Sequence, residues 1–174
     1  MQLKWTAVAL AALALVACGK KEEAAAPAAP APTAAASAPA APPAETLVVK
    51  IGHVAPTSGA IAHLGKDNEF GARMAIEDLN AKGIKIGDKV AKFELLAEDD
   101  AADPKQGTAV AQKLVDSKVN GVVGHLNSGT TIPASKLYSD AGIPQISPSA
   151  TNPKYTRQGF KTTFRVVADD TQLG

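Results

Sequence analysis

From Thr46 onward the chain alternates between two hydrophobic rhythms. "TLVVKIGHVAP" is a β-rich run, Thr46 to about Val54, closed by Pro56 and Gly59. In "LGKDNEFGARMAIEDLNAKGIK", Phe70, Met74, Ile76 and Leu79 are spaced for one side of a helix that Gly83 stops. "KFELLAEDD" reads as the next strand, about Ala91 to Ala97. "ADPKQGTAVAQKLVDSKVNG" reads as a helix capped by Asp103, with Pro104 in its first turn and Val110, Leu114 and Val115 as its apolar stripe. "GVVGHL" is a short, wholly apolar strand, and "TIPASKLYSDAG" a helix with Pro133 near its start and Gly142 at its end. "IPQIS" is a strand, "NPKYTRQG" a short helix or turn, and "TTFRVVADD" a last strand.

Strands that alternate with helices predict an α/β fold: a parallel, doubly wound sheet with helices on both faces. Ligands of such sheets sit beyond the carboxyl ends of the strands. That rule selects four loops: "HVAPTSGAIAHLG", "EDDAADP", "HLNSGTT" and "SPSATNP". Three are rich in Gly, Ser, Thr and Pro, and short hydroxyls with bare amides suit a small anionic or zwitterionic ligand.

The first 45 residues follow neither rhythm. "MQLKWTAVALAALALVACGKK" has a polar start and an apolar run from Trp5 to Ala17, shorter than the roughly 20 residues a membrane span needs. It fits the apolar region of a secretory signal. Its end, Leu15-Val16-Ala17-Cys18-Gly19, resembles the bacterial lipobox, so residues 1–18 read as a lipoprotein signal peptide and Cys18 as the lipidation site. Residues 19–45 are dominated by Ala and Pro and read as a disordered tether, because prolines such as Pro27, Pro30 and Pro32 defeat an Ala-rich helix. Residues 46–174 are the folded part.

Composition narrows the function. A net charge of +1 over 174 residues supplies no basic field, so nucleic acid is not expected as a partner. Cys18 is the only cysteine, which rules out an intramolecular disulfide or a thiolate metal cluster. His125 reads as a packed or hydrogen-bonded residue rather than a metal ligand, and His53 and His63 are not combined into a metal site. Glu98, Asp99, Asp100 and Asp103 read as strand end plus helix cap. No nucleophile–base pair emerges; an enzyme, a cofactor and a metal are not expected.

The loop after the third predicted strand carries the chemistry. Gly124 to Thr131 reads G-x-x-x-x-G-T-T, one residue from a phosphate loop, with Thr130 where the lysine would stand. A helix N-terminus offers unpaired amides and partial positive charge. Without the lysine, the loop suits a carboxylate better than a triphosphate; the alternative is that Ser128 and Thr130 only cap the helix. A nucleotide- or phosphate-binding domain and a receiver-like signalling domain are the competing classes. The first lacks its lysine. The second needs paired acids after the first strand, where this chain has "GHVAPTSG".

"GHVAPTSG", "EFGARMAIEDLNAKGI", "DDAADPKQ", "GHLNSGTTIPAS" and "ISPSATNP", in this order and spacing, resemble the periplasmic leucine/isoleucine/valine-binding protein family of ABC importers, from about Val48 to Gly174. The resemblance implies the first lobe of a two-lobed periplasmic-binding fold, incomplete in this chain, because the family would begin crossing to its second lobe near "ADDTQLG". It implies a free amino acid of the leucine/isoleucine/valine class as ligand, an inner-membrane ABC permease as partner, and an extracytoplasmic location, with membrane lipid held through Cys18. The ligand α-carboxylate would be held by the hydroxyl and amide of Ser128 and by Thr151. The α-ammonium would meet the carbonyl of Ser149 and the hydroxyl of Thr151. Leu126, Asn127 and Ala150 would line the same wall, and Leu64, next to His63, stands where some relatives carry an aromatic cap. The cysteine pair of some relatives would fall at Ala102 and Asn127, and is absent. The family's acidic partner for the ammonium and its apolar lid lie beyond Gly174, so weak binding by this chain alone and an uncovered sheet face or edge are expected.

Overall fold

The structure, a computed structural model, describes residues 45–174. The signal-like segment, Cys18 and the tether up to residue 44 lie outside the described residues.

Six strands form one sheet: β1 (Thr46–Ala55), β2 (Lys85–Ile86), β3 (Lys89–Asp99), β4 (Gly121–Gly124), β5 (Gln145–Ser147) and β6 (Thr163–Arg165), in the order β2-β3-β1-β4-β5-β6. The helices are α1 (Ala62–Ala81), α2 (Pro104–Asp116), α3 (Ser128–Asp140) and the short α4 (Asp170–Leu173), with a 3-10 turn at Pro153–Arg157. Every pairing is parallel except that of β2 with β3. The two-residue β2 was not foreseen: it is the arm of a hairpin that turns at Gly87 (φ 64°) back into β3, too short to show a period.

The chain winds outward from β1 to β3 through α1, then crosses back through α2 to β4 and onward through α3 to β5. Successive side chains of a strand point to opposite faces, and this sorts the helices. A Cβ at Gly52 would press on Leu114 and Val122, so this face meets α2. Here lies the core: Val54, Val110, Ala111, Leu114, Val122, Ala134 and Tyr138, with Leu96, Val115 and Leu137 packed around it. Ile51, Phe93, Leu95 and Val123 face the other way and meet α1 across an apolar cavity of about 450 Å³. Helices therefore cover both faces, as the alternation predicts, but the α1 face is less completely filled.

The apolar stripe of α1 is corrected in part. Ile76 and Leu79 line the cavity against the sheet, but Phe70 and Met74 are 60% and 66% exposed. The inward side is instead built from Gly71, Ala72 and Ala75 together with Ile76 and Leu79. Small residues let the helix approach the sheet, and the bulky pair is left on its outer side. Gly65 shows the same closeness: a Cβ there would stand 2.0 Å from the carbonyl oxygen of Pro56.

In α2 the reading holds residue by residue. Asp103 Oδ1 accepts from the Gln106 amide at 2.8 Å, Pro104 opens the helix, and Val110 and Leu114 are buried. Helix α3 begins at Ser128, three residues earlier than its expected start, so "NSG" belongs to the helix entrance.

Candidate functional site

Because β1, β3, β4 and β5 are parallel, their carboxyl ends share one edge of the sheet. The loops after β4 and β5 meet there. Three side-chain bonds tie them together. Ser147 Oγ donates to the carbonyl of His125 at 2.8 Å, Ser149 Oγ donates to the carbonyl of Leu126 at 2.8 Å, and the Asn152 amide donates to Ser128 Oγ at 3.2 Å. The last bond places Ser128 beside the Thr151–Asn152 segment. Leu126, Asn127, Ser128, Ser149, Ala150 and Thr151, expected from sequence to share a wall, thus lie in two cross-tied loops.

The donors left over define what this place can hold. The Thr130 and Thr131 amides both return to the Asn127 carbonyl, at 3.1 and 2.9 Å. Among the described residues the amides of Ser128 and Gly129 find no such partner. They are the first two of a 13-residue helix whose first turn carries no acidic residue, so its partial positive charge is uncompensated. Ser128 Oγ accepts from Asn152, which leaves its own proton to donate. The Thr151 hydroxyl makes no hydrogen bond among the described residues, while its carbonyl accepts from the Asp170 amide at 2.9 Å. Two amides and the Ser128 hydroxyl, all neutral, stand at this helix N-terminus, and Thr151 adjoins it through Asn152, whose amide bonds to Ser128 Oγ.

The other expected residues take distinct places. Ala150 is 1% exposed and its amide donates to Ser147 Oγ at 3.0 Å, so it forms the floor of the loop. Asn127 precedes α3 without capping it by its side chain, and its Oδ1 is buried without a partner. Leu64 belongs to the first turn of α1, in the loop region after β1; it is 47% exposed and is not tied to the two loops by any hydrogen bond.

The acidic cluster is consumed structurally. Asp99 Oδ1 accepts from the amides of Thr57 and Ala101, both at 2.8 Å, which pins the loop after β1. Glu98 pairs with Lys113 at 2.7 Å. Asp100 is fully buried and its Oδ2 stands 3.0 Å from Nδ1 of His125, also fully buried. Burial would push the Asp100 carboxyl up, but hydrogen bonds from His125, Thr130 and the Ala102 amide outweigh it and hold the group below the usual carboxylate range. Burial pulls His125 below its ordinary value, against the opposing pull of Asp100. An ionised Asp100 beside a neutral His125 puts the ring proton on Nδ1, so Nε2 accepts from the Tyr138 hydroxyl, 3.1 Å away. This reading of His125 as a hydrogen-bonded structural residue agrees with the sequence. Its two partners were not visible there, since one lies 25 residues upstream and the other 13 downstream. Nor was Ser147, whose hydroxyl joins the loops from beneath; it looks like an ordinary strand end. Among the described residues no group of three or more His, Cys, Asp or Glu could hold a metal ion.

A parallel sheet with a helix N-terminus and a neighbouring loop tied together at its strand tips is the arrangement at which open α/β sheets take their ligands. Sequence comparison assigns the family. The profile of the periplasmic binding protein family matches residues 48–174, and the chain belongs to that family. The chain is 47% identical over 127 residues to the leucine-specific-binding protein of Salmonella typhimurium, covering 72% of this chain and 33% of that protein. Among solved structures it is similar to a branched-chain amino acid transporter substrate-binding protein of Streptococcus pneumoniae in complex with isoleucine (TM-score 0.66, 34% identity, 72% of this chain and 35% of that one). A substrate-binding protein of an ABC transporter from Desulfitobacterium hafniense, complexed with leucine, superposes with a TM-score of 0.63 at 30% identity, over 73% of this chain and 36% of that one. The chain thus spans about a third of the length of the relatives it matches.

Proposed function

We propose that this chain is the carboxylate-gripping part of an extracytoplasmic solute-binding lipoprotein of an ABC importer, and that its solute is a free amino acid of the leucine/isoleucine/valine class. The observation that carries the reading is the pair of cross-tied loops that leaves the Ser128 and Gly129 amides and the Ser128 and Thr151 hydroxyls without acceptors. In the ligated protein the amide and hydroxyl of Ser128, with the hydroxyl of Thr151, hold the α-carboxylate. The Ser149 carbonyl and Thr151 Oγ1 take the α-ammonium. Leu126 and Asn127 line the wall above the Ala150 floor, and Leu64 borders the side-chain end. Neutral donors suffice because the α-carboxylate carries one unit of negative charge, and charge-assisted bonds to a carboxylate are strong without a lysine. Binding is non-covalent and ends in hand-over to a permease.

Residues 46–174 supply one wall. A half-site leaves a ligand wet and its ammonium poorly paired, so this chain alone binds amino acids far more weakly than a two-lobed relative does. Calorimetry of the 174-residue chain with leucine, isoleucine and valine checks this; micromolar binding would contradict it. A full-length protein, one that carries residues 46–174 within a chain of its relatives' length, is expected to bind one of the three, and saturable ATP binding in its place would replace this reading by a nucleotide site. Cys18 is the proposed anchor, residues 1–18 its signal and residues 19–45 its tether. Mass spectrometry of membrane-extracted protein is expected to find a diacylated Cys18 at the new N-terminus; an unmodified Cys18 still joined to Ala17 would end the lipoprotein assignment.

A further inference from the structure

We infer that His125 is a positioning residue: Asp100 and Tyr138 fix its ring so that its own carbonyl becomes the shared acceptor that sets the two binding loops against each other. What the loops hold rests on the proposed function; how they are held does not.

The imidazole is fully buried, with Nδ1 at 3.0 Å from Asp100 and Nε2 at 3.1 Å from Tyr138. Neither anchor belongs to its own loop. Asp100 follows β3, where its amide donates to the Ala55 carbonyl and its Oδ1 accepts from the Ala102 amide at 3.0 Å. Tyr138 is fully buried in α3, almost three turns from the helix start, within the core. Both ring nitrogens are thus tied to rigid elements.

The carbonyl of the same residue accepts from Ser147 Oγ at 2.8 Å, and Thr131 Oγ1 lies 2.9 Å away, its one proton shared with the Asn127 carbonyl at 2.7 Å. Ser147 Oγ in turn accepts from the Ala150 amide at 3.0 Å. One chain of hydrogen bonds therefore runs from the core, through His125 and Ser147, to the segment that carries Thr151. The residues directly after His125 are Leu126, Asn127 and Ser128. An apolar residue would fill the space of a buried ring without needing two polar partners. A carboxylate and an imidazole, both withdrawn from water, specify an orientation rather than a volume.

The test uses the 174-residue chain, with backbone amides followed by hydrogen exchange and NMR. Tyr138→Phe removes one hydroxyl, and His125→Gln removes the ring. Each is expected to speed exchange of the Asn152 amide about ten-fold, the size of one weakened hydrogen bond, and to shift the Ser128 and Gly129 amides. The strand amides of Val54 and Val122 keep wild-type rates. If Asn152 does not respond, or if the strands speed up as much as the loop, His125 serves general stability and the inference falls. Leucine titration of the full-length protein separates the two readings. If the loop amides respond while wild-type protein binds no amino acid, the binding assignment fails and the positioning role stands.

Discussion

At the scale of single residues, the protein stores its sensitivity to acid in buried imidazoles. His53 and His125 are both fully buried, and burial lowers the pKa of each from the ordinary value of 6.5. Both are neutral in the folded chain and would take up a proton on unfolding below that value. The unfolded state then binds more protons, so stability is complete above about pH 6.5 and declines as pH falls, at up to about 1.4 kcal/mol per pH unit for each ring. Asp100, held below the usual 3.8, adds a second loss in the same direction at still lower pH. The melting temperature is therefore expected to be flat from pH 7 to 8 and to fall steadily below about pH 6.5; a melting temperature that held constant or rose in acid would oppose this assignment. Sequence was informative where chemistry is local. Asp103 declares itself as a cap by its place before a proline, while Ser128, Ser149 and Thr151 are short hydroxyl residues beyond strand ends whose roles come from the family resemblance. It was silent on Asp100, His125 and Tyr138, because which residue faces which depends on how α2 and α3 cross the sheet. A periodic pattern does not encode that.

At the scale of elements, helix α2 joins sequence to stability most directly. Leu114 is fully buried against Val54, Val122 and Tyr138, so Leu114→Ala is expected to cost about 2–5 kcal/mol, read as a drop in the urea midpoint. Loss of the Asp103 cap in Asp103→Ala removes the acceptor of the Gln106 amide and is expected to cost about 1 kcal/mol. The helix α1 taught the opposite lesson. Hydrophobic size suggested Phe70 and Met74 as inward residues, yet the surface that meets the sheet is made of Gly71, Ala72 and Ala75. A stripe of small residues carries little hydrophobic signal, although it decides how near a helix can lie. Gly65→Ala places a methyl group 2.0 Å from the Pro56 carbonyl oxygen, a backbone atom that cannot yield cheaply. This change is expected to loosen the turn between β1 and α1, seen as faster exchange of the Thr57 amide that Asp99 holds.

At the scale of the whole molecule, the expected last strand, "TTFRVVADD", is paired only over Thr163–Arg165, and Asp170–Leu173 coils into α4 behind the Asp169 cap, whereas the earlier alternation of strand and helix was legible. The antiparallel β2 was not, since two residues carry no rhythm. The chain spans about a third of its relatives, and its apolar surface agrees with a share of a larger fold: Ile146, Phe164 and Val166 on and beside the β5–β6 side are 40%, 50% and 70% exposed. Unpaired edges and apolar faces of this kind associate. Residues 46–174 are therefore expected to form soluble oligomers at tens of micromolar, an order of magnitude typical of such association; a monomer with a sharp, reversible melt would contradict this. The central claim is narrower: neutral amides and hydroxyls at Ser128, Gly129 and Thr151 grip the acid group of an amino acid. Calorimetry of the full-length protein with leucine and with leucinamide, which lacks the carboxylate, tests it most directly. The account predicts saturable leucine binding and at least a hundred-fold weaker binding of the amide, the size of a lost set of charge-assisted hydrogen bonds; equal affinity for the two would contradict it.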